Sequence, residues 1–235
     1  MNGPETGKIK DLFNNIAPDY DKLNHLLSLG IDKSWRRKAL KWIVTPQKAQ
    51  KILDIACGTG DFSIAIAEKS HEHTRITGLD LSEGMLKVMA SKVAQACMSR
   101  KIHQELGNSE QMRFEDGSFD VATIAFGIRN FQNREVALRE ILRVLKPGGR
   151  LVILELSMPE GKFIRTLYNF YFTKILPVIG GMVSGDKAAY RYLPASVISF
   201  PSRAKWVQTM KENGYRNVQH KEFTFGICTM YVGEK

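Results

Sequence analysis

Asp54-Ile55-Ala56-Cys57-Gly58-Thr59-Gly60-Asp61 is the stretch whose reading decides the fold. It joins the apolar run Ile52 to Ala56, read as a buried strand, to a helical pattern running from Phe62 to Lys69. A turn of this kind, bare of side chains at Gly58 and Gly60, lets a ligand touch the backbone at a helix N-terminus. Dinucleotide-binding proteins share the GxG start but continue to a third glycine, and Ser63 stands in that place here. Asp54 ends the strand just before the turn, where a carboxylate repels a pyrophosphate but suits the cationic amino-acid end of a sulfonium. The residues therefore favour S-adenosylmethionine over NAD.

Outward from this turn, short β-branched runs alternate with helical stretches, the mark of a parallel α/β sheet. Arg75 to Leu81 reads as a second strand and Glu83 to Cys97 as its helix. Ile102 to Leu106 reads as a weak third strand and Phe119 to Phe126 as a fourth. A helix from Arg134 to Leu145 then leads to a fifth strand, Arg150 to Leu156. Between them, Lys146-Pro147-Gly148-Gly149 reads as the turn that ends the helix. After a helix from Ser202 to Asn213, Asn217 to Thr224 and Ile227 to Val232 read as an antiparallel hairpin joined at Gly226. The expected fold is α/β: a Rossmann-like, seven-stranded, mostly parallel sheet with a terminal antiparallel hairpin and helices on both faces.

One domain over residues 1–235 is expected, with a helical cap at 8–45, a cofactor-binding core at 51–156, a lid at 157–201 and the last helix and hairpin at 202–235. The lid carries Tyr168, Phe170, Tyr171, Phe172 and the run Ile175-Leu176-Pro177-Val178-Ile179. Its charges and glycines make a poor membrane span, which leaves an interfacial helix or plain packing on the core. No apolar run of signal or spanning length occurs, and the 3 cysteines show neither disulfide nor zinc spacing, so the cytoplasm is the expected compartment. With 34 basic and 24 acidic residues the net charge is +10, which favours nucleic acid, a phosphorylated substrate or an acidic membrane surface.

Two more strand ends carry candidate ligand contacts. Asp80 ends the second strand, 22 residues beyond Gly58, where a carboxylate can accept hydrogen bonds from both hydroxyls of an adenosine ribose. Gly107-Asn108-Ser109 follows the third strand, and an amide there can read the adenine edge. Each residue also has a local reading: Asp54, Asp61 and Asp80 as helix caps, and Asn108 as a turn residue. Their joint placement at successive strand ends, where open α/β sheets bind ligands, is what points to a site.

The chain resembles the S-adenosylmethionine-dependent ubiquinone/menaquinone biosynthesis C-methyltransferase family almost end to end. The likeness rests on Phe13 to Asn24 (FNNIAPDYDKLN), Ser28-Leu29-Gly30, Trp35-Arg36, Leu53 to Asp61 and Asp80 to Leu86 (DLSEGML). It continues through Phe114 to Asp120 (FEDGSFD), Phe126 to Asn130 (FGIRN), Leu138 to Gly149, Leu154 to Pro159 and Tyr190 to Ser196 (YRYLPAS). The YDxxN segment and FGIRN are the specific motifs; the glycine turn and LKPGG are shared by many methyltransferases. The resemblance implies that Thr59, Asp80, Asn108 and Ser109 contact S-adenosylmethionine, and that its methyl goes to a ring carbon of a polyprenyl quinol. Arg113, Ser109 and Ala125 depart from the family pattern, and Ala125 removes a hydroxyl from one cofactor contact.

Carbon methylation of a quinol needs a base and a partner for the developing oxyanion. Arg129 suits the oxyanion, Asn130 suits orientation of the ring, and His25 suits a base or relay, with Tyr20 and Asp21 as its competitors. The histidines form no metal-ligand cluster, so no metal is expected. A nucleic-acid methyltransferase is the rival enzyme, but FGIRNF stands where an amino-methylating enzyme carries Asn/Asp-Pro-Pro-aromatic, and no cysteine here follows a proline. A non-catalytic module on the same fold is the third reading. The expected partners are a polyprenyl quinol and a peripheral membrane surface at the inner face of the cell membrane, without nucleic acid; a homodimer stays open.

Overall fold

In the first strand, β1 (Lys51–Ile55), Ile52, Leu53 and Ile55 are fully buried, so the strand has apolar neighbours on both faces and lies inside the sheet. The computed structural model describes residues 3–171 and 187–235. Phe172 and residues 175–179, which the sequence reading placed in the lid, lie outside the described residues.

Seven strands form one sheet in the order β3-β2-β1-β4-β5-β7-β6. They are β1, β2 (Arg75–Asp80), β3 (Ile102–Leu106), β4 (Phe119–Ala125), β5 (Leu145–Leu156), β6 (Arg216–Phe223) and β7 (Cys228–Glu234). The first five pair in parallel; β7 runs antiparallel to both β5 and β6. This is the expected Rossmann-like sheet with its terminal hairpin. Strand order reverses beside β1, which has β2 on one side and β4 on the other, and the crevice above such a reversal is where open sheets take ligands.

Helices cover both faces. On one, α3 (Ile31–Ile43), α4 (Asp61–Lys69) and α5 (Glu83–Gln95) bury Trp35, Ile43, Ile66 and Met89 against Ile52, Ile76 and Val152. On the other, α6 (Arg134–Val144) and α9 (Arg203–Glu212) bury Leu138, Ile141 and Trp206 against Leu53, Ile124 and Leu151. Four further helices frame the strand ends: α1 (Thr6–Ile16), α2 (Tyr20–Leu27), α7 (Lys162–Phe170) and α8 (Lys187–Ser199).

One local reading needs correction. LKPGG does not separate helix from strand, because β5 already begins at Leu145, paired with Phe119, and the ladder resumes at Arg150 opposite Val121. Lys146 to Gly149 bulge between these pairings, with Gly148 left-handed at φ 74° and Lys146 bound to Asp120 at 2.7 Å. The turn chemistry was local and correct, whereas the pairing of Leu145 is tertiary.

Candidate active site

The ends of β1 and β4 carry unusual backbone. Ala56 and Phe126, neither a glycine, are left-handed at φ 52° and 63°, and Gly58 and Gly60 follow at 56° and 84°. Gly60 also needs the room, since a Cβ there would lie 2.6 Å from Met89 Cγ. At the other strand end a Cβ on Gly127 would lie 2.6 Å from that of Ala56, so the two turns abut and hold each other. Strained residues of this kind cost on the order of 1–3 kcal/mol each and concentrate at functional sites.

A cavity of about 740 Å³ opens above these turns. Gly58, Asp80, Asn108, Ser109, Ala125, Asn130 and Tyr20 all line it, so seven of the sequence-predicted residues come together there. Helix α1 closes it with Ile9, Lys10 and Phe13 and is pinned by Asn14, whose Oδ1 accepts from Ser82 Oγ at 2.6 Å and Gly84 N at 3.0 Å. Asp80 accepts the Gly58 and Ser82 N–H groups at 2.8 and 2.9 Å. Burial raises its pKa, and the backbone donors at Ser82 and Gly58 pull the other way. The N-cap of α5 is Ser82, through Met85 N, so Asp80 is free of the capping role. Asn108 does both of the things read for it: its Oδ1 accepts from Glu110 N at 2.9 Å in a turn while the residue lines the cavity.

Asp54, Thr59 and Gly60 lie behind the turn and outside the lining. Asp54 is buried and accepts from Ser63 Oγ, and burial pushes its pKa up to about 7. It underpins the turn from below and caps no helix, since the cap of α4 is Gly60 without a side-chain bond. Thr59 donates its hydroxyl to Asp21.

A second and larger cavity, about 1290 Å³, adjoins the first; Tyr20 and Phe126 line both and mark the junction. Its walls are mostly apolar: Trp35, Leu156, Ile164, Tyr168, Leu193 and Ile227, from the α2–α3 cap, β5, α7, α8 and the β6–β7 turn. Arg129 is the cation buried in this wall, at 6% exposure. Its Nη1 donates to Phe126 O and to Glu155 Oε1 at 2.6 Å, and its Nε to Ser196 Oγ at 3.3 Å, so Nη2 has no hydrogen-bond partner among the described residues. Burial works against the Arg129 charge, but Glu155, Tyr20 and Tyr192 together offset that and hold its pKa above the ordinary value. Burial likewise raises the Tyr20 phenol, opposed by Arg129 nearby. Asn130 accepts from Tyr192 OH at 2.7 Å, tying α8 to the wall of the first cavity. Asp116 is bound to Arg143 at 2.7 Å and takes no part in this wall.

His25 lines neither cavity. Its Nδ1 lies 3.1 Å from Asp32 and its Nε2 3.2 Å from Asp61, inside a seam of charge that joins the cap to the glycine turn. Arg36 bridges the same two carboxylates at 2.7 and 3.2 Å, and Lys92 bridges Asp21 and Asp61. Burial opposes the Asp61 charge, and Lys92, Arg36 and His25 together hold its pKa below the usual value. The residues that sequence reasoning missed are Glu155, Lys92, Tyr192 and Ser196. Glu155 had a signal, because a lone carboxylate in the run LVILEL must find a cation when buried.

The chain matches the ubiE/COQ5 methyltransferase family over residues 1–235. It is 49% identical over 97% of its length to a Geotalea daltonii protein named ubiquinone/menaquinone biosynthesis C-methyltransferase UbiE, covering 96% of that protein. A Bacteroides fragilis protein named demethylmenaquinone methyltransferase is 42% identical over 99% of this chain and 94% of its own. In solved structures, the [4+2]-cyclase SpnF superposes with a TM-score of 0.74 over 100% of this chain and 98% of that one, at 15% identity. That likeness is one of fold alone.

Proposed function

This chain belongs to the ubiE/COQ5 methyltransferase family, and from that premise we propose how its two cavities divide the work. It is an S-adenosylmethionine-dependent C-methyltransferase of ubiquinone/menaquinone biosynthesis. The observation that carries the reading is the meeting of two unlike cavities at Tyr20 and Phe126. The first fits the cofactor: a carboxylate beside a glycine turn suits a ribose, Asn108 and Ser109 suit the adenine edge, and Ala125 lies toward the junction. Asp54, Thr59 and Gly60 serve it from behind by shaping the turn.

When bound there, S-adenosylmethionine supplies a methyl group made electrophilic by its sulfonium. The second cavity takes the quinol, with the ring at the junction and the prenyl tail along the apolar wall; demethylmenaquinol, giving menaquinol, is the main substrate, with a ubiquinol precursor beside it. Arg129 presents its unused Nη2 to the ring oxygen on which charge develops, and its high pKa keeps it a donor throughout. The Tyr20 phenol stays protonated and donates, and Asn130 orients the ring through the amide that Tyr192 leaves free. His25 acts only through Asp32, which lines the quinol cavity and touches its ring, as the second member of a proton relay. The lipid-soluble substrate and the charge of +10 support a peripheral position on the inner face of the cell membrane. No helix among the described residues is long and apolar enough to cross a membrane.

The test is to incubate the purified protein with methyl-labelled S-adenosylmethionine and short-tail demethylmenaquinol or a demethylated ubiquinol precursor. Label should appear on the ring carbon; its absence from both substrates overturns the reading.

A further inference from the structure

Leu29 and Phe225 break two rules at once. Each is a large apolar residue left in the open, at 76% and 77% exposure, and each holds left-handed backbone, at φ 51° and 56°. Both turns take that conformation there, but it is one that glycine or asparagine adopts at less cost than a large apolar residue. Leu29 is the left-handed residue that ends α2, since Gly30 N donates to His25 O at 2.8 Å across it, and Phe225 stands in a β6–β7 turn where Thr224 and Gly226 are left-handed too, at 49° and 83°. Burial returns nothing for the strain, because both side chains face solvent. Yet both residues also line the quinol cavity, so they stand on its rim.

Helix α7 adds a third apolar edge. Phe163, Leu167 and Phe170 recur at the i, i+4, i+7 spacing of one helical face, exposed at 74%, 52% and 57%, and Leu167 lines the same cavity. Basic residues outnumber acidic ones around this rim, where Glu160 and Glu222 are both paired with Arg203. Exposed Lys33, Arg37, Lys38 and Lys41 lie on α3, and exposed Lys162 and Arg165 on α7; the acidic residue of these helices, Asp32, is buried under Arg36.

Resting on the quinol reading above, we propose that this rim is the membrane-docking surface: Leu29, Phe225 and the outer face of α7 insert among anionic lipids, and the quinol cavity opens directly into the bilayer. The substrate's tail then enters sideways from the lipid without crossing water. The strained turns hold two apolar side chains outward for a lipid partner, and the basic helices supply the attraction that an acidic leaflet rewards.

The test compares wild type with Leu29→Asn/Phe225→Asn and with Phe163→Ser/Phe170→Ser in sedimentation with phosphatidylcholine vesicles, with and without phosphatidylglycerol. Asparagine tolerates left-handed backbone, so the first pair should keep or raise the melting temperature. It should also keep S-adenosylmethionine affinity, since neither residue lines the cofactor cavity. Wild type should bind the anionic vesicles more tightly, and each double variant should bind about tenfold more weakly or worse. Unchanged vesicle binding in both variants, or none by wild type, overturns the proposal. So does a wild-type dimer in sedimentation velocity that Leu29→Asn/Phe225→Asn dissolves, which would make the rim a contact between copies of this chain. Failure of the quinol reading looks different: a protein that docks through this rim and transfers no methyl to a quinol.

Discussion

Arg129 and Glu155 form a buried ion pair at 2.6 Å, with the carboxylate fully excluded from water and the guanidinium 6% exposed. Replacing Arg129 alone therefore has two effects that must be separated. Arg129→Met strands the Glu155 carboxylate, and breaking a buried pair from one side typically costs about 3–5 kcal/mol. It also removes the donor proposed for the ring oxyanion, a loss typically worth about a hundredfold to a thousandfold in turnover. The double variant Arg129→Met/Glu155→Gln removes the stranded charge and keeps the volume. It should recover most of the lost stability, measured by denaturant unfolding, while single-turnover methyl transfer stays at the level of Arg129→Met. S-adenosylmethionine affinity by calorimetry should hold in both, because Arg129 lies outside the cofactor cavity. Arg129→Lys should fall between, since a point charge can answer Glu155 but cannot also reach Phe126 O and Ser196. If the double variant regains turnover together with stability, Arg129 serves only to neutralise Glu155 and the catalytic reasoning is wrong.

Asp80→Asn should weaken S-adenosylmethionine binding by about 1.5–3 kcal/mol in calorimetry, and unchanged affinity in a folded variant would remove Asp80 from the ribose. Asp54 ionises near 3.8 when unfolded and near about 7 when folded, so the folded protein holds the extra proton between these values and stability falls as pH rises through them. The loss should be on the order of 4 kcal/mol at most, and Asp54→Asn should flatten the unfolding free energy between pH 4 and about 7 relative to wild type; parallel curves refute the shift. Lys92→Met frees Asp21 and Asp61 from their shared cation, so α2 should loosen over the glycine turn and the KM for S-adenosylmethionine should rise, with Lys92→Arg restoring it. A lower melting temperature with an unchanged KM would make Lys92 a purely structural residue.

The fold was legible because β1 and its turn combine two signals that local sequence states openly: an apolar run buried on both faces and glycines where the backbone must turn left-handed. Even β3, the weakest pattern, fell at Ile102–Leu106 as read, because the parallel order leaves it an edge place beside β2. The residues that line the first cavity were legible for a related reason. Asp80, Asn108, Ser109 and Ala125 sit at strand ends, and parallel topology alone brings strand ends to one crevice. Side-chain direction was not legible. Thr59 and His25 sit beside the right elements in sequence, but the choice between cavity and seam depends on Asp21, Asp32 and Asp61, which only the packing of α2 and α3 on α4 and α5 brings near.

That seam also explains how a widely used type of sheet can be tied to one chemistry. The sheet by itself makes the first cavity; the second exists because the cap and α7 are set over the ends of β4 and β5. Tyr20 is the residue through which the two must be aligned. It begins α2, its ring lies 3.8 Å from where a Gly58 side chain would start, and the next residue, Asp21, is bound by both Thr59 of the glycine turn and Lys92 of α5. The same ionic contacts that hold the cap on the core therefore fix one of the two side chains shared by both cavities. A single turn of α2 thus couples the two cavities, and a change in the seam should move both together.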